Sequence, residues 1–161
     1  MGMMDVGLPC LVIGAAVVLL PLIWFVATYN ILVRLRQQCR ESWSGIDTEL
    51  RRRYDLIPNL VETVKGYAAH EREVLERVIA ARSRAAASTG SPESQARDEN
   101  ELVGAIRQLF AVSERYPQLK ASGNFLALQD ELANTEDRIQ AARRFYNANV
   151  RDLNTRIEVF P

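Results

Sequence analysis

Histidine is nearly missing from this chain. His70 is the only one in 161 residues, and Cys10 and Cys39 are the only cysteines. His70-Glu71-Arg72-Glu73 lacks the second histidine that a zinc-binding helix supplies at i+4. Two cysteines cannot build a disulfide framework. On one helix Cys10 and Cys39 stand ~44 Å apart, so no bridge joins them. A glycine-rich nucleotide loop is lacking as well. Nowhere do a nucleophile, a base and an orienting group gather in recognisable order. Catalytic residues, cofactor and metal site are therefore all assigned as none. Net charge is absent too. The 20 basic and 20 acidic residues cancel, and with Asp5 the only charge before Arg34, residues 34–161 hold 20 against 19. A neutral surface exerts no long-range pull on nucleic acid. Glycine and proline are few and fall mostly between periodic segments, with little β-branched alternation. That pattern argues for an all-α fold.

What the chain does have is a long uncharged run. Positions 6–33 carry no charged side chain over 28 residues. A bilayer core needs ~20 apolar residues as a helix. Inside lipid the backbone must satisfy its own hydrogen bonds, so a spanning run of this kind is helical. A secretory signal would be shorter, with a basic leader. Leu8-Pro9-Cys10 is not a lipoprotein box, and Met1-Gly2 lacks the Ser or Thr at position 6 that myristoylation wants. Pro21 falls mid-span, where proline kinks a helix. Gly7, Cys10 and Gly14 put small residues near one face, a pattern that lets a partner helix approach. Arg34, Arg36 and Arg40 follow the run and no Lys or Arg precedes it, which places the C-terminal side in the cytoplasm and the short N-terminus outside.

Residues 34–161 are enough for one domain with its own core. Leu32, Leu35, Cys39, Trp43, Ile46, Leu50, Tyr54 and Ile57 step by three and four, an apolar stripe that predicts a helix running on from the span. Asp47 with Arg51, and Glu49 with Arg53, are i,i+4 ion pairs on its solvated face. Pro58 predicts a break at 55–57. A second helix is expected over 58–87, on Leu60, Val64, Tyr67, Val74, Val78, Ala81 and Ala85, with Glu71 interrupting the stripe. The run 88–92 reads as a loop, with Ser91 as N-cap and Pro92 in first helical position. A third helix reaches about Tyr116, ended by Pro117 and Ala121-Ser122-Gly123. The fourth, over 124–157, carries Phe125, Leu128, Leu132, Thr135, Ile139, Ala142, Tyr146, Asn149 and Leu153 at alternating steps of three and four. That period predicts a left-handed bundle seam with Thr135 and Asn149 as buried polar groups.

Together these elements predict one N-terminal transmembrane helix (1–33 with its tail) continuing into an antiparallel four-helix up-and-down bundle over 34–161. In that bundle Arg34, Arg36, Arg82, Arg84, Arg151 and Arg156 form a basic collar facing lipid. The turn at 55–58 is then the far tip, where Asp55 and Pro58 read first as a cap and helix-start device, and Arg53, Asp55 and Asn59 are, as the sharper alternative, the candidate contact for a protein partner. Trp43 reads as core. His70 suggests a phosphoacceptor, against the plainer reading of a histidine on a solvated face.

Several blocks resemble the LemA family. They are Trp43-Ser44-Gly45-Ile46-Asp47, the run from Arg53 through Pro58-Asn59-Leu60 to Gly66-Tyr67, and His70-Glu71. Later come Leu119-Lys120-Ala121, Asn124-Phe125-Leu126, Leu128-Gln129, Glu131-Leu132, Thr135-Glu136, Tyr146-Asn147 and the closing Phe160-Pro161. The resemblance covers nearly all of the chain after Asn30. It implies a single N-terminal span, a long helical bundle, a short N-terminus outside the cell, and no enzyme activity, cofactor or ligand. One branch of the family is found on magnetosome membranes. Members usually continue past the Phe-Pro pair, so a short C-terminal segment is expected beyond it. The resulting expectation is a scaffold or interaction protein, not an enzyme, in a bacterial cytoplasmic (inner) membrane or an organelle membrane derived from it. Its partners would be the membrane and another protein, with homo-oligomers as a further option and no nucleic acid. The alternatives are a phosphotransfer-like signalling bundle using His70, and a membrane-organising protein that oligomerises on the bilayer.

Overall fold

Apolar residues at steps of three and four give helices throughout. The computed structural model describes residues 7–89 and 92–159. Its elements are α1 (Gly7–Tyr67), α2 (Arg72–Ala87), α3 (Pro92–Ser113), α4 (Pro117–Lys120) and α5 (Gly123–Glu158), with no strand among the described residues. The expected Ser91 cap and the Phe160-Pro161 pair lie outside the described residues. Two compact units divide the chain. One takes α1 up to Trp43 with α5 from Arg144, and the other holds residues 44–143.

In the second unit α1, α2, α3 and α5 bury one shared core. It contains Ile57, Leu60 and Val64 of α1, Leu75, Val78 and Ala81 of α2, Leu102 and Leu109 of α3, Leu119 of α4, and Phe125 and Leu132 of α5. Phe110 and Phe125 meet edge to face at 5.8 Å. Cross-links give each direction. Arg77 donates to Gln108 and Ser88 to Asp98, so α2 and α3 run antiparallel. Tyr54 lies against Ala85, 31 residues on, across the antiparallel α1–α2 pair. The fourth predicted stripe holds: Thr135 and Ile139 are fully buried, and the Thr135 hydroxyl donates to the Glu131 carbonyl at 2.8 Å.

The expected break at 55–57 is absent, because α1 runs straight through Pro58. A proline inside a helix has no N–H, so the carbonyl four residues earlier loses its partner. Here that carbonyl belongs to Tyr54, and Arg82 Nε of α2 donates to it at 2.6 Å. A guanidinium from the neighbouring helix thus replaces the missing backbone donor. The chain turns later, at 68–71, where Ala68 N–H bonds Val64 and Glu71 N–H bonds Ala68. Leu60 and Val64 therefore belong to α1. Tyr67 is 46% exposed, and Ala68 and Leu75 take the core positions expected of Tyr67 and Val74. Glu71, which seemed to interrupt a stripe, ties the start of α2 to the α3–α4 junction. It accepts from Tyr116 at 3.1 Å and Arg115 at 2.9 Å.

This replacement makes a test. Arg82→Ala should lower stability by ~1.5–3 kcal/mol, the usual loss for a hydrogen bond to a charged group. In a Pro58→Ala background the helix recovers its own N–H, and the same substitution should cost under about 1 kcal/mol. Thermal unfolding of the full chain in micelles, followed by circular dichroism, gives the four corners. Equal losses in both backgrounds would mean that Arg82 does not replace the Pro58 donor.

In the first unit α1 exposes most of its apolar residues from Leu11 to Val33, with Ala16 and Leu32 half-buried. Among the described residues it is the one helix long and apolar enough to cross a membrane. It runs unbroken past Pro21. Trp43 is half-buried rather than core, edge-on to Tyr146 at 5.2 Å. Asn149 is half-buried, not buried, and donates to the Gln38 carbonyl at 3.4 Å.

Candidate functional site

The most constructed polar feature lies inside the 44–143 unit. Along the continuous α1 the buried series is Ile46, Arg53, Ile57, Leu60 and Val64, with half-buried Leu50 between the first two. An arginine thus stands at an inward position and is 3% exposed. Burying a guanidinium is costly unless it is paired. Arg53 Nη2 pairs with Glu99 of α3, itself buried. Arg53 Nη1 donates to Glu136 of α5 at 2.7 Å. The Tyr54 hydroxyl donates to the other Glu99 oxygen and lies 3.4 Å from the Ala85 carbonyl of α2. Four helices therefore meet at one cation, two carboxylates and a phenol. Burial pushes the Tyr54 hydroxyl well above the usual tyrosine range, and the hydrogen bond to Glu99 and its charge push the same way.

Above this network α3 and α5 leave a cleft of about 250 Å³. Val103, Ile106, Phe110 and Leu132 line it, with Arg107, Gln129 and Glu136 among its polar residues and Arg53 contributing from α1. Arg53 Nε is buried without a hydrogen-bond partner among the described residues. The network has the parts to hold helices in one register. Arginine stays charged and cannot serve as a base at neutral pH, and the Tyr54 hydroxyl is held as a donor.

The other predicted residues are scattered. Arg53 is not an exposed contact, and Glu49 is not its partner; Glu49 lies 4.0 Å from Arg52 instead. Asp47 does pair with Arg51, at 2.9 Å. Asp55 and Asn59 are exposed, but on an unbroken helix rather than at a turn. Asp55 borders a shallow cleft with Asp47, Arg51 and Arg52, while Asn59 borders another with Glu62, Asn124 and Glu131. Of the expected collar, Arg82 is engaged with Tyr54 and Arg84 with Glu101, both within the second unit. Arg34, Arg36, Arg151 and Arg156 belong to the first unit. Arg34, Arg36 and Arg151 are exposed there and Arg156 is half-buried. His70 is exposed in the turn after α1. Among the described residues no group of three or more His, Cys, Asp or Glu could hold a metal ion. Sequence reasoning missed Glu99 and Glu136. Glu99 precedes Leu102 by three on the inward face of α3, and that spacing was the available signal.

A model of the LemA family matches residues 42–161, three quarters of the chain and all of the Arg53 network. The chain belongs to the LemA family. Over 84% of its length it is similar, at 28% identity, to Protein LemA of Metamycoplasma hominis, covering 62% of that protein. Magnetosome protein MamQ of Magnetospirillum gryphiswaldense is 24% identical over 91% of this chain and 64% of its own length. Magnetosome protein MamQ 1 of Paramagnetospirillum magneticum is 25% identical over 88% of the chain and 63% of its own length. The chain thus spans a little under two thirds of the LemA-family relatives it matches.

Proposed function

We propose that this LemA-family chain is a membrane-anchored helical scaffold that presents its bundle to a protein partner. The observation that carries this reading is that the exposed apolar run and the first bundle helix are parts of one helix, Gly7–Tyr67. The buried polar network holds helices together and offers no activated nucleophile, which favours a structural over a catalytic role. Arg34, Arg36 and Arg40 after the run favour a cytoplasmic bundle. The magnetosome relatives favour a bacterial cytoplasmic membrane or an organelle membrane derived from it. Asp55 and Asn59 remain the candidate contact, now as part of an exposed polar strip along α1 with Asp47 and Arg51.

One variant tests both parts. Asp55→Cys is made in a chain carrying Cys10→Ala and Cys39→Ser. An impermeant maleimide should leave it unlabelled in intact cells and label it after lysis; labelling before lysis overturns the orientation. In native membranes a benzophenone maleimide at this site should give a discrete adduct that the same reagent at Glu76→Cys, exposed on α2, does not give. Identical adduct patterns at the two sites, or none, would remove the α1 strip as the partner face.

A further inference from the structure

Within the first unit α5 runs back along the apolar part of α1. Tyr146 against Trp43, and Asn149 to the Gln38 carbonyl, set one antiparallel register. At 1.5 Å per residue in both helices, that register puts Ile157 level with Ile31 and Val159 level with Tyr29. Both levels fall inside the uncharged run that ends at Val33. Burial follows the register. Leu32, Leu35 and Cys39 on α1, and Leu153 and Arg156 on α5, are half-buried among exposed neighbours. The step of three after Leu153 puts half-buried Arg156 at the next seam position; Ile157 beside it is 64% exposed, and Val159 is 57% exposed. In water this apolar end would be unfavourable by roughly 25 cal/mol for each Å² exposed. Ile31 lies two residues inside the end of the uncharged run, which for a spanning helix is the boundary between headgroups and acyl chains, and that cost falls there. By the same register Arg151 is level with Gln37, next to Arg36, and Arg156 is level with Leu32, two residues inside Arg34. Their long stems can lie along apolar surface with the guanidinium among headgroups. Glu158 sits about 100° and Val159 about 200° around from Ile157, so the two apolar side chains leave on different faces with the exposed carboxylate between them.

We propose that residues 151–159, the end of α5 and the residue after it, are a second membrane contact. Ile157 and Val159 enter the acyl boundary beside the span, and Arg151 and Arg156 meet anionic headgroups. The contact rests on the reading that residues 6–33 cross the bilayer. The occupant is lipid because the register sets exposed Ile157 and Val159 level with Ile31 and Tyr29, which are exposed on the uncharged run itself.

The test uses the full chain in nanodiscs of phosphatidylcholine and phosphatidylglycerol, with Cys10→Ala and Cys39→Ser. Single cysteines at Val18, Val33, Asn147 and Ile157 carry an environment-sensitive fluorophore. The quencher is a lipid with a nitroxide on its acyl chain near the headgroup. The label at Ile157→Cys should emit to the blue and be quenched as strongly as the label at Val33→Cys, while Asn147→Cys emits as in water. Val159→Cys gives a second reading should Ile157→Cys disturb the seam. If the labels at 157 and 159 both behave like Asn147→Cys while Val18→Cys is in lipid, the span stands and this contact is wrong. If Val18→Cys also emits as in water, the span reading fails and the contact fails with it.

Discussion

Arg53→Ala should destabilise the bundle by ~3–5 kcal/mol, the loss found when one partner of a buried ion pair is removed. The reason is what stays behind: Glu99 is buried and would be left with only the Tyr54 hydroxyl beside it. Glu136 would suffer less, because its side chain is 37% exposed and water can solvate it. Arg53→Met with Glu99→Leu should recover most of the loss, since an apolar replacement of similar volume removes both buried charges at once. If the double variant were as unstable as Arg53→Ala, the effect would be one of packing rather than of charge. The same network sets an alkaline limit. The Tyr54 hydroxyl binds its proton more tightly in the folded chain than in the unfolded one. Its contribution to stability is therefore complete below the ordinary tyrosine pKa of about 10 and falls as pH rises above that value. Tyr54→Phe should flatten the decline seen in melting temperature above that pH. An unchanged alkaline slope would assign the decline to other groups.

Phe125→Ala should cost a similar ~3–5 kcal/mol, for a different reason. Phe125 is 1% exposed and meets Phe110 edge to face, 79° between ring planes. Truncation removes its burial and leaves a void that helices on all sides cannot fill. Phe145, farther along the same helix, is 63% exposed, and Phe145→Ala should change stability by under about 0.5 kcal/mol. Thermal unfolding of both variants in the same micelles makes the comparison. Equal losses would mean that the burial pattern along α5 is wrong.

Much of the architecture is legible one helix at a time. The uncharged run is readable because the lack of charge over 28 positions is a local property. The α5 stripe is readable because seam positions recur at three and four, and Phe125, Leu132, Thr135 and Ile139 are all buried. Pro92 opens α3 as the proline rule predicts. The error at Pro58 has a specific cause. A proline penalises the helix it sits in, and from local sequence that penalty reads as a break. Arg82, 28 residues from Tyr54, supplies the donor that offsets it, and no local pattern announces that partner.

The polar site failed for the same reason. Arg53 lies in a run of three arginines, beside Tyr54, and both residues fit an apolar series at helical spacing. Choosing Tyr54 sends Arg53 outward, toward a local Glu49 pair. Choosing Arg53 sends it into the core, which is sustainable only if Glu99 and Glu136 arrive from α3 and α5. By itself the sequence determined an all-α chain with a long apolar helix and a bundle seam, because composition and periodicity act within a few turns. The tertiary structure alone decided where α1 ends, which arginine is buried, and that Arg82 belongs to a helix repair rather than to a lipid collar. Each of those outcomes rests on a charge or donor brought from another helix, and the energy of such a pair has no counterpart in local spacing.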